Sequence, residues 1–423
     1  MSPQNPPSAP RPEPGAGPGP ASSPAPASGP AFAGASGAAT VAPGSGVAAP
    51  GAAVEEAYGP LPTERKLLFS LVLAVFLLLL LEGLNRIGRL LDGKVTDNRY
   101  PSLDLYVPHP YLNKAPAAGL TLTAVHDERG ERTISINAFG FRGREFQVPK
   151  SAGTYRIFCI GGSTTFGHAV SDDGTWPAVL EERLAKKHPE RKFEVVNAGV
   201  PGYTSFENLI DWETRIAEME PDAIVIYQGI NELLYFANYS PQRTLAQLRP
   251  VNHRGAIDRW LMNHSALYQG TMHTAERVRR KGAEKAPLAE CPPWGPRAWE
   301  RNLDWLVGMA KSQGVRVLLV TQASRVHPEA DTAEELDAAG ISQKTMAKLY
   351  GLAPATFLKT FEGALEAMRR VGAKQGVPVV DMYREFPKDA ALYTDAVHFT
   401  EAGERRFAEA LLERMPAEFL GGR

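Results

Sequence analysis

Residues 155–167 read Tyr155-Arg-Ile-Phe-Cys-Ile-Gly-Gly-Ser-Thr-Thr-Phe-Gly167, an apolar run that ends in two glycines and a serine. The pattern predicts a strand, a tight turn and the start of a helix, with the hydroxyl of Ser163 at the carboxyl edge of a sheet. Ligands of open α/β sheets bind at that edge. Ser163 is therefore either a nucleophile, if a base and an oxyanion hole reach it, or the N-cap of an ordinary βα turn.

Outward from this turn, short apolar runs alternate with helical patterns. The runs predict strands at Arg156–Ile160, Glu194–Val196, Ala223–Tyr227, Val315–Val320 and Pro378–Val380. The helical patterns fall at Trp176–Lys187, Phe206–Met219, Arg297–Lys311 and Ala355–Lys374, with a last helix after Thr400. Continuous apolar strands in βαβα order are typical of a parallel sheet covered on both faces. We predict an α/β fold, a three-layer α/β/α sandwich with a mostly parallel five-stranded sheet.

The amino-terminal part differs in composition from the rest of the 423-residue chain. Residues 1–60 are mainly Pro, Ala, Gly and Ser, and their charges are Arg11, Glu13, Glu55 and Glu56. Such a segment buries too little apolar surface to offset its conformational entropy, so we predict a disordered tail over residues 1–62. The net charge of −1 gives no reason to expect nucleic acid as a partner.

An apolar run from Leu67 to Leu81 follows the tail, and it extends to Leu84 if Glu82 is tolerated. A helix that spans a membrane needs about 17–25 residues, so we predict one transmembrane signal-anchor at 66–86. A cleaved signal peptide is disfavoured because no small-x-small cleavage site follows Leu81. A buried core helix is disfavoured because this Leu-rich run has no polar face.

The chain after the anchor is predicted to hold two parts. Residues 95–150 form a small extended segment with a β element around Thr133–Asn137, and residues 153–418 form the main domain. Insertions at about 233–296 and 322–352 leave the carboxyl ends of strands, where they can wall or cover a site. The first insertion has an amphipathic piece near Ala256–Arg280. Its basic cluster at 277–281 is either a contact for anionic lipid or glycan or a solvated helix face.

Three further segments fall at predicted strand ends and carry residues suited to acyl chemistry. Gly202 can present its backbone N–H to an oxyanion, and Asn231 can donate from its side-chain amide. Asp395 and His398 lie three residues apart before the last helix, so His398 can act as base toward Ser163 while Asp395 supports it. The alternatives are turn-forming roles for Gly202 and Asn231 and a structural role for His398.

Together these four segments resemble the SGNH hydrolases, also called the GDSL-like esterase and lipase superfamily. The matching positions are Ser163, Gly202, Asn231 and His398, in the family's order. The resemblance spans about residues 153–415. The segment at 135–143 also looks like the one that precedes this domain in membrane-anchored bacterial members.

The resemblance implies a flavodoxin-like sheet and a set of catalytic roles. Ser163 would be the nucleophile, His398 the general base and acid, and Asp395 the third member of the triad. The oxyanion hole would comprise the backbone N–H groups of Ser163 and Gly202 and the side-chain amide of Asn231. No cofactor is implied.

Two positions depart from the family pattern. Gly162 precedes the serine where Asp is usual, and Glu232 follows Asn231 where Asp is commoner; neither change removes a catalytic group. We interpret His168, Asp172 and Asp173 as surface groups or as groups behind the site.

Metal and disulfide sites have little support in the sequence. No His, Asp and Glu cluster has the spacing of metal ligands. Cys159 and Cys291 fit no zinc spacing, and whether they form a disulfide stays open. Cys159 lies in the apolar strand before Ser163, so we interpret it as a small buried hydrophobe.

The leading hypothesis is a membrane-anchored serine esterase acting through a Ser-His-Asp triad and an acyl-enzyme. Its substrates would be O-acyl or acetyl groups of envelope glycans, or lipid esters. One alternative is an O-acyltransferase with the same triad, and another is a non-catalytic envelope scaffold or glycan-binding module. Basic residues that flank the anchor, among them Arg86 and Arg89, favour a cytoplasmic domain. The resemblance argues for the opposite orientation, and we predict an extracytoplasmic catalytic domain.

Overall fold

The computed structural model describes residues 62–91, 105–107, 109, 111–112, 114–127, 130–236, 256–281, 287–326 and 349–421. The predicted tail lies outside the described residues except for residue 62, and so do residues 237–255 and 282–286 of the first insertion and 327–348 of the second. By its contacts the chain divides into two units, Met1–Val72 and Leu73–Arg423. Of the first unit, the described part is residues 62–72, which contain the beginning of helix α1 (Thr63–Leu91).

Ahead of the sheet, the chain forms helix α1 and two small strand pairs. Within the described ranges, one segment, Thr63–Gly88, is apolar and long enough to cross a membrane by length and composition. Strands β1 (Tyr106–Val107) and β2 (Ala115–Pro116) pair antiparallel, as do β3 (Thr121–Asp127) and β4 (Gly130–Ser135). The β element expected from the sequence overlaps β4.

The central sheet has five strands, and each overlaps one of the predicted apolar runs. They are β5 (Thr154–Gly161), β6 (Lys192–Gly199), β7 (Ala223–Tyr227), β8 (Arg316–Val320) and β9 (Val379–Val380). Their order across the sheet is β6-β5-β7-β8-β9, and every neighbouring pair is parallel. The predicted α/β fold with a five-stranded parallel sheet is confirmed.

The helices also follow the predicted order. They are α2 (Ser163–Phe166), α3 (Trp176–Lys187), α4 (Ser205–Asp211), α5 (Ile230–Phe236), α6 (Ala256–His264), α7 (Ala266–Lys281), α8 (Trp294–Ser312), α9 (Pro354–Gln375), α10 (Met382–Glu385) and α11 (Glu401–Arg414). The single helix predicted at Phe206–Met219 is wrong in one respect. Helix α4 ends at Asp211 and a π-helical turn follows at Trp212–Ile216. This turn buries Trp212 and Ile216 in the core, while Arg215 hydrogen-bonds the carbonyl groups of Phe139 and Gly140.

Both faces of the sheet are covered because alternate strand residues point to opposite sides. One set packs with α8 and α9, and the other packs with α3 and α11. The first core includes Phe158, Ile160, Ile224, Ile226, Leu319, Leu306 and Leu365. The second includes Ile157, Cys159, Val225, Leu318, Val320, Leu180 and Phe407. The arrangement is three layers, with the sheet in the middle.

The two cysteines are free thiols, so the disulfide left open by the sequence is not formed. Cys159 is fully buried in β5, where burial raises the pKa of its thiol. It packs as the small hydrophobe that its place in the strand predicts.

Arg142 ties the segment ahead of the sheet to the turn that carries Ser163. Its backbone N–H donates to the carbonyl of Asn197 in β6 at 3.1 Å. Its buried guanidinium pairs with Asp172 at 3.0 Å. It also donates to three backbone carbonyl groups at and after the end of α2. The carbonyl acceptors are those of Phe166 (2.5 Å), Gly167 (2.7 Å) and Val170 (2.6 Å). One buried cation therefore holds the chain that leaves α2.

Candidate active site

The carboxyl ends of the parallel strands meet at one edge of the sheet. Gly161, the last residue of β5, is in register with Gly199 of β6 and with Tyr227 of β7. The N–H of Val200 donates to the carbonyl of Gly161 at 3.1 Å, which joins the loop after β6 to the serine turn. Segments that are far apart in sequence thus converge around Ser163.

Ser163, His398 and Asp395 form a continuous hydrogen-bonded chain. The hydroxyl of Ser163 lies 2.7 Å from Nε2 of His398. Nδ1 of the same ring lies 2.7 Å from Oδ2 of Asp395. A nucleophile, a base within hydrogen-bond reach and a group that orients the base are the arrangement that activates a serine.

Asp395 is held as a carboxylate by the donors around it. Its Oδ1 accepts the backbone N–H groups of Val397 (2.9 Å) and His398 (2.8 Å) while Oδ2 accepts from the ring. Burial acts to raise the pKa of Asp395, but these hydrogen bonds and the charge of His398 outweigh it, and the pKa falls below its usual range. An anion that accepts from Nδ1 leaves Nε2 as the acceptor for the Ser163 proton.

Gly202 lies in the loop that follows β6, and Asn231 lies in the first turn of α5, which follows β7. Gly202 has φ +83°, a conformation that favours glycine, and a Cβ atom there would have no neighbour within 4 Å. Asn231 donates from Nδ2 to the carbonyl of Tyr203 at 2.9 Å. Because Tyr203 directly follows Gly202, this bond joins the loop after β6 to α5.

The glycine before Ser163 leaves room for the amide of Asn231. A Cβ atom on Gly162 would lie 2.4 Å from Nδ2 of Asn231, so a side chain at this position would have to displace the amide. The departure from the family pattern at residue 162 therefore accompanies a close approach of Asn231 to the serine turn.

Glu232, the other departure from the family pattern, binds Ser205 at the start of α4. Its carboxylate accepts the backbone N–H of Ser205 and, at 3.1 Å, the hydroxyl of Ser205. Burial raises the pKa of Glu232 to about 7, although the hydrogen bonds from Ser205 and Gln228 act to lower it. The residue contacts the start of α4 and connects it to the helix that carries Asn231.

The ring of His168 contacts the ring of His398 directly, which the sequence interpretation did not specify. Its ring centroid lies 4.6 Å from that of His398, with the planes tilted by 40°. Helix α2 is one turn long and ends at Gly167 in a left-handed conformation, so the chain returns toward the site at His168. The five-residue spacing from Ser163 is the only signal in the sequence, and it does not indicate a ring contact.

The two acidic residues near His168 have other partners. Asp172 binds Arg142 and the N–H of Ser135, at 2.9 Å from Oδ2, so it lies behind the site. Asp173 lines a cavity of about 840 Å³ beside Asp395, together with Arg132, Ser171 and Thr394. This cavity has a largely polar lining. In the ranges described, no three His, Cys, Asp or Glu side chains are grouped as a metal site requires.

Comparison with known proteins gives a family match over most of the folded part of the chain. The model of the GDSL-like lipase/acylhydrolase family matches residues 159–406. Among curated proteins, the chain is similar to thioesterase 1/protease 1/lysophospholipase L1 of Escherichia coli strain K12, at 26% identity over 102 residues. That match covers 24% of this chain, and the chain spans 46% of the length of this relative.

The solved structures to which the chain is similar include an α/β hydrolase and an acetylxylan esterase. The α/β hydrolase LAE5, from the metagenome of Lake Arreo in Spain, is 19% identical, with 61% of this chain and 94% of that chain covered and a TM-score of 0.37. The acetylxylan esterase Axe2 of Geobacillus stearothermophilus is 18% identical, with 61% and 93% covered and a TM-score of 0.37.

Proposed function

Because the chain belongs to the GDSL-like lipase/acylhydrolase family, one of the SGNH hydrolases, we propose that it hydrolyses carboxylic esters with Ser163 as nucleophile. The observation that carries the proposal is the hydrogen-bonded chain from Ser163 through His398 to Asp395, at 2.7 Å for each link. A serine that only capped a helix would need neither partner.

In the proposed reaction, His398 first acts as base. Nε2 takes the proton of Ser163 while Oγ attacks the carbonyl carbon of the ester, and Asp395 stabilises the imidazolium that forms. The tetrahedral intermediate then collapses, His398 returns the proton to the alcohol oxygen, and an acyl-enzyme remains. Water attacks this ester with His398 again as base, and the carboxylic acid leaves Ser163.

The negative oxygen of each tetrahedral intermediate needs fixed donors. We assign this role to the backbone N–H groups of Ser163 and Gly202 and to Nδ2 of Asn231. The open space around Gly202 and the placement of Asn231 beside Gly162 support the assignment. Donors that are already oriented stabilise the transition state without reorganisation.

The proposed substrates are O-acyl or acetyl groups of envelope glycans, or lipid esters. The polar cavity that Asp395 helps to line supports a substrate that carries hydroxyl groups. The apolar helix α1 supports anchoring in a membrane by one span, and we propose that the catalytic part lies on the extracytoplasmic side.

The test is the Ser163→Ala variant of the full chain in detergent. We expect it to lose hydrolysis of a short-chain nitrophenyl ester and labelling by a fluorophosphonate probe. Ser312→Ala is the control, because Ser312 is an exposed serine at the end of α8. Equal hydrolysis by Ser163→Ala and the parent protein would overturn the proposal. Faster acyl release with a glycan acceptor present would identify a transferase with the same nucleophile.

A further inference from the structure

The corner between helices α6 and α7 binds helix α1 where its apolar run ends. Glu82 accepts the hydroxyl of Ser265 (2.9 Å) and the backbone N–H groups of Ala266 (2.8 Å) and Leu267 (2.9 Å). Arg86 donates from Nε to Glu82 at 2.8 Å and from Nη2 to the carbonyl of His264 at 2.6 Å. The contact joins residues that are separated by about 180 positions in the chain.

The charges of this pair match the helix ends that they contact. The amino end of a helix presents unpaired N–H groups and partial positive charge, and the carboxyl end presents unpaired carbonyl groups and partial negative charge. Glu82 binds the first turn of α7, and Arg86 binds the last carbonyl of α6. The corner is thereby fixed to α1 directly after Leu81, the last residue of the apolar run.

Helix α6 carries an apolar face that the described residues of the chain leave uncovered. Ile257 and Trp260 are 77% and 59% exposed, whereas Met262 on the other side of the helix is 4% exposed. The ring of Trp260 stacks on that of His264, with centroids 5.0 Å apart and planes at 15°. Ile257, Trp260 and His264 follow the three- and four-residue spacing of one helix face.

We propose that α6 is an interfacial helix whose Ile257 and Trp260 enter the headgroup boundary of a phospholipid bilayer. This inference rests on the membrane anchoring proposed above. The bilayer is the occupant because the corner contacts α1 at Glu82 and Arg86, in the last turns of the predicted 66–86 anchor, which places α6 near the depth of the interface. Trp side chains concentrate at that depth, and amphipathic helices bind there by their apolar face.

Tryptophan quenching in vesicles tests the placement. The full chain is reconstituted into phosphatidylcholine and phosphatidylglycerol vesicles, with and without brominated acyl chains. Of its 6 Trp, three are almost fully buried: Trp176, Trp212 and Trp299. We expect Trp260→Phe to remove most of the emission that bromine quenches. Trp305→Phe is the matched control, because Trp305 is 52% exposed on α8; its loss should raise the quenched share of the remaining emission.

A second variant tests the joint itself. Glu82→Ala should keep the chain in vesicles that float in a density gradient but lower the quenching of Trp260. Unchanged quenching in Trp260→Phe, with the chain still in the floating fraction, would overturn the interfacial helix and leave this face for a protein partner. Failure to float would overturn both the anchor and the inference. Ser163→Ala should quench as the parent does, so loss of the esterase hypothesis would be separately visible.

Discussion

The side-chain amide of Asn231 has two neighbours that bear on the site. Nδ2 donates one hydrogen to the carbonyl of Tyr203, and the same nitrogen lies beside the turn that carries Ser163. In the proposed mechanism its other hydrogen faces the oxyanion. The residue would therefore both fix the loop after β6 and stabilise the transition state.

We expect Asn231→Ala to lower kcat by about 10²–10³-fold, because removal of one oxyanion donor has that typical effect. The measurement is steady-state hydrolysis of a nitrophenyl ester, with circular dichroism to show that the fold persists. Asn302→Ala is the control: this buried amide donates to Ser205 at 3.2 Å and is not assigned to the oxyanion hole. A kcat for Asn231→Ala close to that of the parent would exclude the side chain from the hole.

His168 is expected to position the ring of His398. His168→Ala should lower kcat about two- to tenfold with KM nearly unchanged, since an aromatic pair contributes about 0.5–1.5 kcal/mol. His168→Phe keeps a flat ring at the same place and should restore most of the rate. If both variants lose the same amount, ring packing is not the cause. If neither changes kcat, the contact has no role in turnover.

For individual residues, the sequence predicts candidate site residues that occur in short motifs in a known order. It does not predict residues such as His168 and Glu232, which are found only through their contacts in the fold. Ser163 begins α2 at the predicted strand-to-helix turn, Asp395 and His398 precede α11, and the two hydrogen bonds that link the three side chains are 2.7 Å long. The contact of His168 depends on the shape of a one-turn helix, α2, which no periodicity indicates. The reach of Glu232 to Ser205 likewise depends on how two loops pack.

Among the secondary-structure elements, α3 and α11 are joined by one buried carboxyl group. Oε2 of Glu404, in α11, accepts the N–H of Trp176 at the start of α3, at 2.9 Å. Burial raises the pKa of Glu404 to about 8, against the opposing effects of this hydrogen bond and of Arg142. In the unfolded chain the pKa of a glutamate is near its ordinary value, about 4.3.

This difference predicts that stability falls with rising pH. Between the unfolded and folded pKa of Glu404 the folded state holds a proton that the unfolded state releases, so the free energy of unfolding decreases as pH rises through this window. Glu404→Gln keeps an uncharged acceptor for Trp176. It should match the parent near pH 5 and exceed it near pH 8.5 by on the order of 2–4 kcal/mol.

Urea unfolding at the two pH values measures the effect. Glu413→Gln is the matched control, because Glu413 is an exposed residue of the same helix; its effect should stay within about 0.5 kcal/mol at either pH. A parent protein whose advantage over Glu404→Gln grows with pH would contradict the assigned direction.

The elements themselves were largely predictable, because their signals are local. Helix α3 has the predicted bounds, and the five strands overlap the five apolar runs. The π-helical turn after Asp211 was not predictable, since it depends on contacts of Arg215 with Phe139 and Gly140. Similarly, the sequence shows Glu82 only as the residue that ends an apolar run. Its hydrogen-bond donors at the start of α7 lie 183 to 185 residues further along the chain.

For the whole molecule, the proposed orientation can be tested with fusions at the carboxyl terminus. If α1 crosses the membrane with residues 1–62 inside, every element after it lies outside. A fused alkaline phosphatase should then be active, and a fused green fluorescent protein should stay dark. Fluorescence without phosphatase activity would place the catalytic part in the cytoplasm, as the basic residues after the anchor favour. A fusion to residue 62 alone is the control for the opposite side.

The contacts of Arg142 determine where a shortened fragment of this chain can begin and still fold around Ser163. The family match starts at Cys159, and the sheet starts at Thr154. A fragment cut there would keep every proposed catalytic group but would leave the carbonyl groups between Phe166 and Val170 without their cation. The stretch that links anchor to sheet is therefore not a spacer. It supplies the buried guanidinium that holds the segment after Ser163, so a soluble fragment should begin upstream of Arg142.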